Sequence, residues 1–136
     1  MSKILIIDDD PDFLYTVRLV LEDAGFEVET ATTPEQGLEM VQGTEPDLVI
    51  LDVLMPSEYE GFAVARAIRE ELHITEMPIV MLTAVHDVKK ASHRFAPDEA
   101  YLPVDVFLDK PIELESLVEI INEVLGRRRE EPKYPL

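Results

Sequence analysis

Short apolar runs rich in β-branched residues alternate with stretches of helical periodicity, and this alternation constrains the fold more than any other feature of the chain. Lys3-Ile4-Leu5-Ile6-Ile7, Leu48-Val49-Ile50-Leu51 and Ile79-Val80-Met81-Leu82 are almost continuously apolar, as strands buried on both faces must be. Phe26 to Ala31 and Val106-Phe107-Leu108 supply two more strands. Between the first two, Asp10 stands as an N-cap with Pro11 at the first helical position. Phe13, Leu14, Val17, Leu21 and Ala24 follow at helical spacing, and Gly25 sits where a C-cap belongs. Thr33-Pro34-Glu35-Gln36 reads as a capping box for a helix that carries Leu38 and Val41 and stops at Gly43. Phe62, Ala65, Ile68, Arg69 and Leu72 mark a third helix. Leu114, Leu117, Val118, Ile121, Val124 and Leu125 mark the last, closed by Gly126. Between Asp87 and Asp105 only Val88, Ala91 and Phe95 keep helical spacing before Pro97 and Pro103 interrupt it. That stretch predicts a short helix followed by an irregular loop.

Buried parallel strands need helices on both faces. Five strand-helix units predict one α/β domain with a doubly wound, flavodoxin-like sheet of strand order 2-1-3-4-5. The chain's 136 residues suit one domain. Its expected extent is 1–126, with a charged tail over 127–136. No apolar run is long enough to span a bilayer. The start enters a strand-like run directly, so no signal peptide is expected. The absence of cysteine excludes disulfides, thiolate metal sites and a cysteine nucleophile, and fits a cytoplasmic protein. A formal net charge of −17 repels phosphate backbones and anionic lipid, so neither nucleic acid nor membrane is an expected direct partner.

In an open α/β sheet, ligands bind at the carboxyl ends of the strands. Strand one ends in Asp8-Asp9-Asp10, strand three in Asp52, strand four in Thr83 and strand five in Asp109-Lys110-Pro111. Carboxylates drawn together repel unless a cation neutralises them. The ligands on offer are all oxygens, which favours a hard ion such as Mg²⁺ over zinc or copper. Each piece alone has a plainer explanation. Asp10 can be only a helix cap, Asp52 a turn residue, Thr83 a cap or turn former, and Lys110-Pro111 a solvated turn. Their joint occurrence, in order, at four of the strand ends is what points to a site.

Ile6-Ile7-Asp8-Asp9-Asp10-Pro11, Asp47 through Pro56, Met81-Leu82-Thr83-Ala84 and Phe107-Leu108-Asp109-Lys110-Pro111 resemble the four signature blocks of response-regulator receiver domains, over about Lys3 to Gly126. The resemblance implies a phosphoacceptor at Asp52. Asp9, Asp52 and the backbone carbonyl of Leu54 would be direct Mg²⁺ ligands, with Asp8 acting through a water. Lys110 would pair with a phosphoryl oxygen, aimed inward by a cis Lys110-Pro111 peptide. Thr83 would bond the phosphoryl group, and Ala84 would leave a path to it. Phe107 would be the aromatic switch residue, turning inward when Thr83 is drawn to the phosphate; with no hydroxyl it can bury fully. Leu54 and Val85, each two places beyond a site residue, would border the approach of a hydrolytic water, and neither can hydrogen-bond it. They are therefore expected to slow dephosphorylation. His86 follows Thr83 closely but reads best as a solvated loop residue, as do His73 and His93.

Two departures from the family's pattern stand out. The loop from Pro56 to Gly61 is one residue longer than usual beside the metal, and the stretch from Thr83 to Lys110, which in the family helps to carry the partner surface, is also longer. The partners implied are a sensor histidine kinase or histidine phosphotransfer protein and a downstream protein target. The chain itself would be a monomer or a phosphorylation-dependent homodimer. No output domain is expected after Gly126, so the domain would not bind DNA itself. A Mg²⁺-dependent phosphatase of the haloacid dehalogenase type would carry a second aspartate where Leu54 stands. A degenerate docking receiver would have lost Asp9, Asp52, Thr83 or Lys110. A flavin or nucleotide carrier would need a glycine-rich loop where Asp8-Asp9-Asp10 stands. A phosphoacceptor switch that assists its own phosphorylation, rather than a turnover enzyme, is the expected function.

Overall fold

The computed structural model describes residues 2–52, 60–84, 106–110 and 113–127. Its elements are β1 (Lys3–Ile7), α1 (Pro11–Asp23), β2 (Glu27–Ala31), α2 (Pro34–Thr44), β3 (Leu48–Asp52), α3 (Glu60–Arg66), a π-helical turn over Ala67–Glu71, β4 (Ile79–Ala84), β5 (Val106–Lys110) and α4 (Leu114–Arg127). The sheet is parallel, with β1 between β2 and β3 and β4 beside β3. The backbone of β5 pairs along the outer edge of β4. Among the described residues, no helix is long and apolar enough to cross a membrane.

The continuity of the apolar runs has a direct cause. Alternate residues of each central strand feed opposite cores. Leu5, Ile7, Val49, Leu51, Ile79 and Met81 pack with Val41, Val64, Ala65 and Ile68 from α2, α3 and the π turn. Ile4, Ile6, Leu48, Ile50, Val80 and Leu82 pack with Leu14, Val17, Leu21, Leu117, Ile121 and Val124 from α1 and α4. Each fully buried side chain of this kind contributes about 1.5–3 kcal/mol. The two cores fix the register, because a one-residue slip would exchange the faces.

Local signals set most boundaries. The Asp10 carboxylate accepts from the backbone N–H groups of Asp12 and Phe13 at 3.0 and 3.3 Å, starting α1. Gly25, at φ 99°, ends it in a conformation that favours glycine. Thr33 Oγ1 accepts from Gln36 N at 3.1 Å, but the Gln36 side chain returns to Thr32 N, at 2.9 Å, rather than to the cap residue itself.

Several boundaries differ from the sequence expectation. β2 starts at Glu27; Phe26 is buried before it, with its N–H bound to Leu21 O. α2 does not stop at Gly43. It continues through Thr44, whose hydroxyl donates to Met40 O, and the left-handed residue that ends it is Glu45, at φ 48°. Glycine tolerates the helical conformation, so its presence alone does not end a helix. β4 extends past Leu82 to Ala84. The third helix widens into a π turn, with Leu72 N bonding Ala67 O at 3.0 Å. Arg69 closes that turn by donating from Nη1 to the carbonyls of Ile74 (3.0 Å) and Met77 (2.7 Å). The helix expected between Asp87 and Asp105 lies outside the described residues.

A carboxylate cluster at the carboxyl end of the sheet

Strand register brings the acidic positions together. Ile7 pairs with Leu51, so Asp8 and Asp52, one residue further on, leave adjacent strands side by side. Asp8 N donates to Ala31 O at 3.1 Å, which carries the parallel pairing with β2 one step beyond β1. The Asp8 carboxylate then accepts from Asp10 N at 2.9 Å. One carboxylate oxygen from each of Asp8, Asp9 and Asp52 lies within 4.8 Å of the others. Asp8 is 1% exposed and Asp52 7%, whereas Asp9 is open to solvent.

Two ionised carboxylates at that separation repel by roughly 3 kcal/mol at an effective dielectric constant of about 20. The cluster therefore sits at the edge of the core in an arrangement that a bound cation would relieve. The donors are hard oxygens. Asp10 takes no part: its side chain is committed to the α1 cap, while its N–H orients Asp8. A run of three aspartates thus divides into two cluster members and one helix cap.

The other expected site residues are placed by their backbones. Asp52 pairs with Leu82, which puts Thr83 one residue beyond it on β4. Thr83 pairs with Asp109, and Ala84 with Lys110. Asp8, Asp52, Thr83 and Lys110 therefore occupy the same edge of the sheet. Phe107 lies on β5 opposite Met81. Leu54, Val85, His86, His93 and Pro111 lie outside the described residues, and His73 is exposed at φ 57°. Neither the Asp10 N–H bond to Asp8 nor the packing of α2 on β1 at Gly37 was expected from the sequence. An aspartate two residues before a helix cap was the available signal for the first. The second had none, since only the packed structure shows which helix position meets Ile7.

Residues 4–122 match the family model of the response regulator receiver domain. Among curated relatives, the DNA-binding dual master transcriptional regulator RpaA of Synechocystis is 32% identical over 93% of this chain, which covers 50% of RpaA. The chain thus spans about half that relative's length. Protein PilH of Pseudomonas aeruginosa is 29% identical over 93% of this chain and 99% of PilH. Among solved structures, chemotaxis protein CheY4 of Vibrio cholerae superposes with a TM-score of 0.76 at 31% identity, covering 92% of this chain and 99% of CheY4. The chain belongs to the response regulator receiver domain family, whose members are phosphoacceptor switches rather than turnover enzymes.

Proposed function

We infer that the domain is a switch in a two-component phosphorelay, phosphorylated on Asp52 with the help of Mg²⁺. The observation that carries this reading is the convergence of Asp8, Asp9 and Asp52, two of them buried, at the carboxyl end of a parallel sheet. Asp9 and Asp52, with the carbonyl of Leu54, would hold the ion directly, and Asp8 would act through a water. Their all-oxygen donor set suits Mg²⁺. When bound, the ion offsets carboxylate repulsion and neutralises charge on the transferring phosphoryl oxygens.

An Asp52 oxygen attacks the phosphorus of a phosphohistidine or a small acyl phosphate. A P–O bond forms, the bond from phosphorus to the donor's nitrogen or oxygen breaks, and the electron pair leaves with the donor. Lys110 pairs with a phosphoryl oxygen, and Thr83 donates its hydroxyl to another. Phe107 follows Thr83 inward, which changes the surface offered to a downstream protein. Leu54 and Val85 keep the hydrolytic water out of line, so the phosphoryl group persists. The five-strand order 2-1-3-4-5 serves this reading, because β5 carries both Lys110 and Phe107. The phosphodonor partner is a sensor histidine kinase or histidine phosphotransfer protein, and the domain works in the cytoplasm over residues 1–126, followed by a charged stretch, 127–136, whose first residue, Arg127, ends α4. It acts as a monomer or a phosphorylation-dependent homodimer.

The test is incubation with acetyl phosphate and Mg²⁺, read by intact mass. One phosphoryl adduct is expected in the native chain and none in Asp52→Asn. An adduct of equal yield in Asp52→Asn, or none in either protein, overturns the assignment.

A further inference from the structure

Gln36 is the third residue of α2, after Pro34 and Glu35. Helical side chains lean toward the helix N-terminus, so its amide reaches back past the Thr33 cap. Its Oε1 accepts from the Thr32 backbone N–H at 2.9 Å and from Thr32 Oγ1 at 3.4 Å. That N–H belongs to the same peptide group as the Ala31 carbonyl, which accepts from Asp8 N at 3.1 Å. A trans peptide is planar and points its C=O and N–H in opposite directions, so whatever fixes one fixes the other. The Ala31 carbonyl faces β1. The Thr32 N–H faces outward from β2, where the described sheet has no further strand. Gln36 supplies the acceptor that a neighbouring strand would otherwise supply. One peptide group thus joins Gln36, exposed on α2, to Asp8, which is 1% exposed.

We propose that Gln36 is a positioning residue for the carboxylate cluster, holding Asp8 in place through the Ala31–Thr32 peptide. Asp8 lies one residue beyond the end of β1, and its N–H bond to Ala31 O is the last link between β1 and β2. If the Ala31–Thr32 peptide turns, the Asp8 backbone loses its partner, and its carboxylate moves relative to Asp52 on β3. Such a group raises affinity by setting a ligand before the ion arrives, although it touches no ion itself. The helix start does not need this amide. Thr33 Oγ1 already caps Gln36 N at 3.1 Å, and Gly37 N bonds Thr33 O at 3.0 Å. The side chain must therefore offer an acceptor at this length, which glutamate also does and alanine does not. The inference rests on the reading of Asp8, Asp9 and Asp52 as an Mg²⁺ site.

The test uses the whole, isotope-labelled chain and NMR, with no phosphodonor. Two quantities are read: exchange of the Asp8 amide proton in the absence of metal, and the Mg²⁺ affinity from amide shifts during titration with MgCl₂. Gln36→Ala should speed Asp8 exchange and weaken Mg²⁺ binding by roughly threefold to tenfold each, the change expected for loss of one ordinary hydrogen bond. Gln36→Glu should restore native exchange at Asp8. Gln36 is exposed, so neither change disturbs the core. Arg69→Met serves as a control for general loosening, because Arg69 bonds the carbonyls of Ile74 and Met77, away from the cluster. It should lower stability and leave Mg²⁺ affinity native. Native Asp8 exchange and Mg²⁺ affinity in Gln36→Ala overturn the proposal and leave the metal reading intact. So does an equal loss of affinity in Arg69→Met. A native chain whose Asp8, Asp9 and Asp52 amides ignore Mg²⁺ overturns the metal reading, and the proposal with it.

Discussion

Gly37 stands in the middle of α2, where alanine would ordinarily stabilise the helix by about 1 kcal/mol. Here the added methyl would meet the Ile7 side chain, with Cδ1 nearest, Cγ1 at 2.9 Å and Cγ2 at 3.3 Å. Ile7 is fully buried and packed in the core that β1 and β3 share with α2 and α3. Its branched side chain has few rotamers to retreat into. Overpacking of this kind costs about 1–3 kcal/mol. Against the helix gain, Gly37→Ala should therefore destabilise by roughly 0–2 kcal/mol. Removing the obstacle should reverse the sign. Ile7→Ala alone costs about 2–5 kcal/mol, but in that background Gly37→Ala should stabilise by about 1 kcal/mol. Gly43, in the same helix, has nothing within 4 Å of an added methyl, so Gly43→Ala should be stabilising on its own. Urea unfolding of the native chain, both single variants at 7 and 37, the double variant and Gly43→Ala measures all the terms. A 1 kcal/mol change moves the midpoint by roughly 0.3–1 M. If Gly37→Ala stabilises the native chain as much as it stabilises Ile7→Ala, the close approach of α2 to β1 is not what requires glycine.

Other consequences follow from the same structure. Arg69→Met should destabilise by about 1.5–3 kcal/mol, because the carbonyls of Ile74 and Met77 lose a charged donor; thermal melts check this, and labelling of Asp52 should persist. Millimolar Mg²⁺ should raise the melting temperature of the native chain by mass action and leave Asp9→Asn nearly unmoved; equal shifts in both would remove Asp9 from the ion site. Leu54→Asn/Val85→Glu should shorten the phosphoryl lifetime several-fold by giving the attacking water polar partners; decay after removal of the donor measures it, and equal decay in both proteins would sink the apolar gate.

What the residue pattern revealed and what it hid have separable causes. The strands were legible because burial on both faces leaves continuous apolar runs, as in Ile4 to Ile7 and Leu48 to Leu51. The acidic cluster was legible because costly residues stand directly after those runs. Asp10 was legible as a cap because Pro11 follows it. The end of α2 was not, since Gly43 and Glu45 compete for the left-handed position and only hydrogen bonding through Thr44 decides between them. The π turn after Arg66 was hidden for a similar reason: Arg69 bonds two carbonyls of the exit loop, a contact that periodicity does not encode. Gly37 was silent because its role depends on the depth of the Ile7 side chain on another element.

The division of labour within Asp8-Asp9-Asp10 is the point on which the account turns. Asp8 and Asp9 gather with Asp52, whereas Asp10 caps a helix. The most direct measurement is the rate at which acetyl phosphate labels Asp52 at fixed Mg²⁺ in the native chain, Asp8→Asn, Asp9→Asn and Asp10→Asn. A near-native rate is expected for Asp10→Asn, because asparagine caps as well as aspartate, and large losses are expected for Asp8→Asn and Asp9→Asn. Loss of labelling in Asp10→Asn with labelling kept in Asp8→Asn would contradict it, since the acidic run would then be displaced by one residue from the site assigned to it.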